Sequence, residues 1–156
     1  MLNRYIEIKD FDEKYSLSFA SLNRQWLLKY FFVDEYHEEI LSNPRKHIIS
    51  KGGHIYFAIC QDEVVGTTAL IKRSEGEFQL CEMAVSEEFQ GRGVGKLLMD
   101  KVISVAKKEK INRLFIESNT KLTKAMGLYL SYGFSEVPSE LSSPYEMFNI
   151  RMELKL

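Results

Sequence analysis

Apolar residues recur along this chain with two periods, and the changes of period mark where strands give way to helices. At residues 4–9, Tyr5, Glu7 and Lys9 alternate with Ile6 and Ile8, which predicts a first strand. Asp10 and Glu13 have the spacing of a capping box. Phe11, Tyr15, Phe19, Leu22, Trp26 and Tyr30 then follow at steps of three and four, lining one face of one long helix or two in succession. That aromatic stripe reads as core. Residues 34–41 predict a short acidic helix, a solvated face ended by Asn43-Pro44.

After Gly52-Gly53 the period shortens. Residues 54–61, 64–71 and 78–85, with turns at Asp62-Glu63 and at 74–76, predict an antiparallel meander of three strands. Leu97, Leu98, Val102, Val105 and Ala106 form the apolar stripe of a helix over 94–110, and 113–117 is the next strand. A helix crossing between two strands implies that they run parallel. A last helix is expected over 121–132, with Thr120 as its cap, Gly133 as its left-handed end and Leu122, Ala125, Met126 and Tyr129 facing inward. Residues 134–137 and the alternating Phe148, Ile150, Met152 and Leu154 add two strands, joined by a loop carrying Pro138 and Pro144. The fold class is α/β: a mixed, mostly antiparallel sheet with helices on both faces.

Composition narrows the classes without changing this picture. The 156 residues suit one domain spanning 1–156 that can bury a core; 45% are hydrophobic and 28% charged. A formal charge of −1 argues against broad nucleic-acid binding. Without an apolar run of 18 residues or a signal-peptide pattern, the expectation is a cytoplasmic protein with no membrane partner. Cys60 and Cys81 lie in strand-like apolar runs and read as reduced, buried thiols. His37, His47 and His54 show no ligand-like pairing, so no metal is expected.

The chemistry concentrates at residues 90–96, QGRGVGK, between a strand and a helix. Glycines at 91, 93 and 95 allow a tight turn whose N–H groups, with the positive end of the following helix, can converge on an anion such as a pyrophosphate. Alone, the triplet is equally a plain turn. It lacks the Lys-Ser/Thr ending of a P-loop, and Lys96, counting from Gly91, stands where a dinucleotide motif would need Gly or Ala, so a nucleotide enzyme is the weaker reading.

Gln90-x-x-Gly93-x-Gly95 resembles the acyl-CoA signature of the GNAT superfamily of N-acetyltransferases. Asn119, Ala125, Tyr129 and Gly133-Phe134 resemble a second segment of that family, in the correct order, and the predicted elements extend the resemblance over the whole chain. LNRQWLLKYF, SPYE and NIRMEL further resemble small single-domain bacterial members.

The resemblance implies a GNAT-like fold and acetyl-CoA as acyl donor. Backbone N–H groups from Gly91 through Arg92, Gly93, Val94 and Gly95 to Lys96 would hold the pyrophosphate. Met83, Ala84 and Val85 would pair with the pantetheine arm as an added strand, through a break between the fourth and fifth strands. Asn119 and Ala125 would line the same arm. Tyr129 matches the family's general acid for the departing thiolate; without the resemblance it would pass for a core aromatic. Tyr132 is the fallback donor.

The attacking amine, of pKa about 10.4, is unprotonated in roughly one molecule per thousand or fewer at pH 7, so a base is needed. Glu82, the one acidic residue in 78–85, is the candidate, directly or through a water; alternatively it orients substrate, or a water chain serves instead. Cys81 is excluded as a nucleophile because strand alternation should turn it away from Glu82.

The acceptor, a small-molecule or peptide amine, would meet Asn23, Trp26, Tyr30, Glu82, the acidic helix near Glu35, and Tyr145 with Glu146. The function expected is direct acetyl transfer to a primary amine in a ternary complex. The alternative is a non-catalytic acyl-CoA sensor. The final strand offers an edge through which a homodimer could form.

Overall fold

The computed structural model describes residues 5–138 and 148–156. Seven strands form one sheet: β1 (Glu7–Asp10), β2 (His54–Cys60), β3 (Glu63–Ser74), β4 (Glu77–Val85), β5 (Arg113–Ser118), β6 (Ser135–Val137) and β7 (Ile150–Lys155), in the order β1-β2-β3-β4-β5-β7-β6. Every pairing is antiparallel except β4 with β5, as the helical crossover requires. The helices are α1 (Ser16–Tyr30), α2 (Glu35–Ser42), α3 (Pro44–His47), α4 (Val94–Lys108) and α5 (Thr123–Ser131).

Alternation along β2 sorts side chains to the two faces. Ile55, Phe57 and Ile59 pack with Phe19, Leu27, Ile40 and Leu41 of α1 and α2. Tyr56, Ala58 and Cys60 pack with Leu98, Val102 and Ala106 of α4. A central strand buried on both sides reads as continuously apolar, and HIYFAIC does. Helices therefore cover both faces, as periodicity predicts.

Several boundaries move for local reasons. Asp12, rather than Asp10, caps the first turn, accepting from the Lys14 amide at 3.0 Å. Pro44 ends α2 and also opens α3, where its missing N–H costs nothing. Gln61 and Asp62, both at positive φ, make the β2–β3 turn, one residue before the expected position. Thr120 does not cap α5: the helix starts at Thr123, after a turn in which the Asn119 side chain accepts from the Lys121 amide at 2.9 Å. Tyr30 leaves the aromatic stripe and is 46% exposed, while Leu27 takes the buried place. The alternating last strand is no edge, because β6 returns to pair with β7 along its far side. Among the described residues the edges are β1 and the three-residue β6. Cys60 and Cys81 are free thiols in different core clusters.

Candidate active site

The sheet splits beside β4. β4 and β5 pair only from Glu77↔Arg113 to Gln79↔Phe115, and beyond Gln79 no strand among the described residues pairs with β4 on that side. Met83, Ala84 and Val85 fall in that unpaired stretch, while Ala84 and Val85 stay joined to β3 through Thr67 and Gly66 on their other side.

Opposite Thr68 the register of β4 against β3 slips, with Thr67 facing Ala84 and Ala69 facing Cys81. Two residues, Glu82 and Met83, therefore oppose one, and Glu82 adopts φ +51. This is a β-bulge, a device that re-aims a side chain. Its effect corrects the expectation of simple alternation. Cys81 packs against the α1/α2 cluster, and Glu82, instead of pointing to the other face, reaches His37 on α2. Both residues line one cavity of about 700 Å³. Cys81 is still a poor nucleophile, because burial pushes its thiol well above the usual range.

The Glu82 side chain is only 6% exposed. Burial raises its carboxyl to about 7; His37 opposes that rise and Asp34 adds to it. His37 stands between the two acids, with Nε2 3.4 Å from Glu82 Oε1 and Nδ1 2.9 Å from Asp34 Oδ1. Asp34 Oδ1 also accepts the His37 amide at 2.7 Å, capping α2. Residue order alone does not reveal this histidine's setting, since Asp34 is its neighbour on α2 but Glu82 comes from β4.

Tyr129 enters the same cavity from α5, one turn after Ala125, and is 8% exposed. Among the described residues its hydroxyl has no hydrogen-bond partner, and burial, then the charge of Cys81, raises its pKa to about 12. Tyr132 is differently placed: its hydroxyl donates to Asp100 and lies 3.1 Å from the Lys96 carbonyl oxygen, tying α5 to α4. Asn23 and Trp26 line the cavity. Asn23 is buried, its amide donating to the Phe19 carbonyl at 2.9 Å. Tyr30 does not line it and meets Trp26 at a tilted angle with centroids 5.7 Å apart. Glu35 is exposed, and Tyr145 and Glu146 lie outside the described residues.

At the far end of the split, Gly91 and Gly93 take φ +74 and +83, a conformation costly for other residues. A Cβ at either would meet nothing within 4 Å, so the requirement is conformational rather than steric. Gly93 is the N-cap of α4 and no side chain caps that helix, leaving the amides of its first turn directed outward beside Arg92 and Lys96. The cavity holding a carboxylate and a phenol thus reaches Met83, where the unpaired edge of β4 begins, and β4 leads by way of 86–93 to the uncapped start of α4. No group of three His, Cys, Asp or Glu among the described residues could hold a metal, and no helix among them is long and apolar enough to cross a membrane.

Comparison with known proteins agrees with this geometry. The model of the acetyltransferase (GNAT) family matches residues 13–134. A Bacillus subtilis (strain 168) protein, provisionally named a ribosomal protein bS18-alanine N-acetyltransferase, is 26% identical over 132 residues, covering 83% of this chain and 78% of its own. The next two curated relatives are matched over only 47% and 38% of their length. A GNAT acetyltransferase structure from Staphylococcus aureus Mu50 superposes with TM-score 0.87 at 23% identity, covering 97% of this chain and 99% of that one. The Thermoplasma acidophilum PaiA N-acetyltransferase, solved in complex with coenzyme A, superposes with TM-score 0.76 at 16% identity over 97% of this chain and 99% of its own.

Proposed function

Because the chain belongs to the GNAT family of acetyltransferases, and is on that ground an acetyl-CoA-dependent N-acetyltransferase, we propose that it transfers the acetyl group directly to a primary amine within a ternary complex. The observation that carries this is the split beyond Gln79↔Phe115, which leaves one side of Met83–Val85 unpaired between the uncapped start of α4 and the cavity of Glu82 and Tyr129. The split has the form needed by an extended, amide-rich arm, which can add to a strand edge.

Each chain residue then has a task. The amides from Gly91 to Lys96 hold the pyrophosphate, with Arg92 and Lys96 adding charge. Met83, Ala84 and Val85 pair with the arm, and Asn119 shapes the turn that brings Ala125 and Tyr129 against it. When bound, acetyl-CoA supplies the activated acyl group. Glu82 takes a proton from the acceptor ammonium, and its raised proton affinity of about 7 suits a base working near neutrality. Tyr129, whose hydroxyl is otherwise unengaged, gives a proton to the leaving sulfur. Asn23 and Trp26 face the acceptor.

The test is a thiol-release screen with acetyl-CoA and four amine classes: a peptide with N-terminal alanine, a lysine peptide, a polyamine and free amino acids. Release that depends on one class, with mass gain on the amine, supports the reading. Coenzyme A binding without transfer to any of them would defeat it.

A further inference from the structure

A second task arises from the same cavity, and it rests on the reading of Glu82 as the base. An amine enters as an ammonium ion at pH 7. Acetylation forms the C–N bond, breaks the C–S bond, and yields a neutral amide, a neutral thiol and one released proton. Glu82 must therefore shed a proton at each turnover, yet its side chain is 6% exposed. It has no direct way to hand that proton to bulk water while the cavity is filled.

We propose that His37 and Asp34 form the exit route for this proton, from Glu82 Oε1 to His37 Nε2, and from His37 Nδ1 to the surface at Asp34. The bond pattern assigns the tautomer. Asp34 Oδ1 can only accept, and it faces Nδ1 at 2.9 Å, so Nδ1 carries the hydrogen and Nε2 presents a lone pair to Glu82 at 3.4 Å. Asp34 is held in place by its second bond, from the His37 amide at 2.7 Å. Exposure then rises outward along the route: 6% at the Glu82 and His37 side chains and 20% at Asp34.

Proton flow is orderly. Protonated Glu82 donates to Nε2, giving an imidazolium between two carboxylates, and Nδ1–H passes its proton to Asp34 and on to water; the ring is then the Nε2–H tautomer, and exchange of its protons with water after product leaves returns the starting Nδ1–H form. Every charge is conserved and no further reactant is needed. The 3.4 Å separation is long for a hydrogen bond, which fits a contact that tightens once substrate fills the cavity. The other groups around the chain are named readily. Cys81 lies beside Glu82 on β4, Arg73 on β3 and Glu117 on β5 line the same cavity, and the rings of Tyr36 and Phe148 meet His37 edge-on at 5.8 and 6.2 Å. Among the described residues these supply no second imidazole, so His37 is the one ring with a nitrogen facing Glu82 and another facing Asp34.

His37 is thus a positioning and relay residue, and two measurements test it. Long-range proton–nitrogen spectra of the unliganded protein should show His37 as the Nδ1–H tautomer, with Asp34→Asn shifting the tautomer balance; an Nε2–H ring would overturn the route whether or not an acceptor has been found. With the amine that reacts best in the screen, His37→Ala and His37→Gln should each lose at least about tenfold in kcat, the scale of a positioned proton-transfer group, with KM for acetyl-CoA little changed. Added imidazole should restore kcat to His37→Ala and not to the His37→Ala/Glu82→Gln double variant. Wild-type kcat in a folded His37 variant, or a loss that imidazole does not rescue, would overturn the relay. Wild-type turnover in Glu82→Gln would instead bring down the base assignment on which it rests.

Discussion

Gln90 Nε2 donates to the carbonyl oxygen of Val85 at 3.3 Å, joining the first residue of the glycine loop to the last residue of β4. That bond, with the backbone bonds through 86–90, ties the pyrophosphate end of the proposed donor site to its pantetheine end. Gln90→Ala removes an exposed hydrogen bond worth about 0.5–1.5 kcal/mol. Calorimetric titration should show the Kd for coenzyme A rising roughly two- to tenfold, with the melting temperature almost unmoved; an unchanged Kd would disconnect Gln90 from the donor site.

Two glycines of the loop should respond oppositely to alanine. Gly93 sits at φ +83, so Gly93→Ala should cost about 1–2 kcal/mol of stability and weaken coenzyme A. Gly95 lies within α4, where an added Cβ would meet Leu128 Cδ2 at an ordinary 3.4 Å, and alanine favours helix. Gly95→Ala should leave the urea midpoint unchanged or higher. Weaker coenzyme A binding in that variant would then report the close approach of the ligand itself.

The raised carboxyl of Glu82 makes a signed statement about pH. Activity needs the ionised form, so kcat/KM should climb as pH rises through about 7 and this limb should vanish in Glu82→Gln, together with about a hundredfold or more of the rate. A Glu82→Gln profile identical to wild type would sink the base.

Stability moves the other way. Folding favours protonated Glu82, so its favourable contribution is present below the unfolded value of about 4.3 and is lost as pH rises to the folded value of about 7. Glu82→Gln should accordingly be more stable than wild type at pH 8, by an amount of order 3 kcal/mol at 1.36 kcal/mol per pH unit. That gap should close by about pH 4. Urea titrations at the two pH values measure it.

Tyr129→Phe keeps the buried ring and its contact with Phe134, whose centroid lies 6.1 Å away, and deletes only the unengaged hydroxyl. Turnover should fall by about a hundredfold or more, while coenzyme A affinity and thermal stability stay close to wild type. Unchanged turnover would remove Tyr129 as the acid.

Much of this arrangement could be read directly. Burial on a strand or helix has a period, so the faces of β2, the Leu98, Val102 and Ala106 stripe of α4 and the parallel β4–β5 step follow from residue order, although Leu97 is exposed rather than part of that stripe. The two spaced motifs, Gln90-x-x-Gly93-x-Gly95 and Asn119…Tyr129-x-x-x-Gly133, point to the proposed donor side because that chemistry uses backbone shape and a few fixed positions. Thr120 misled because Asn119 took the turn-forming bond one residue earlier.

What tertiary structure alone decided are relations between elements. The alternation rule sent Cys81 and Glu82 to opposite faces, but pairing with β3 inserted a bulge and gave Glu82 φ +51. His37 looked like one polar residue on an acidic helix until the fold set it between Asp34 and Glu82. β7 has the pattern of any half-buried strand, and only the return of β6 made it interior. Period records which side of an element is buried; it carries no information about register between strands or about which distant side chain will stand 3.4 Å away. Those are settled when the elements pack, and in this protein they bring Glu82 to His37 and Asp34.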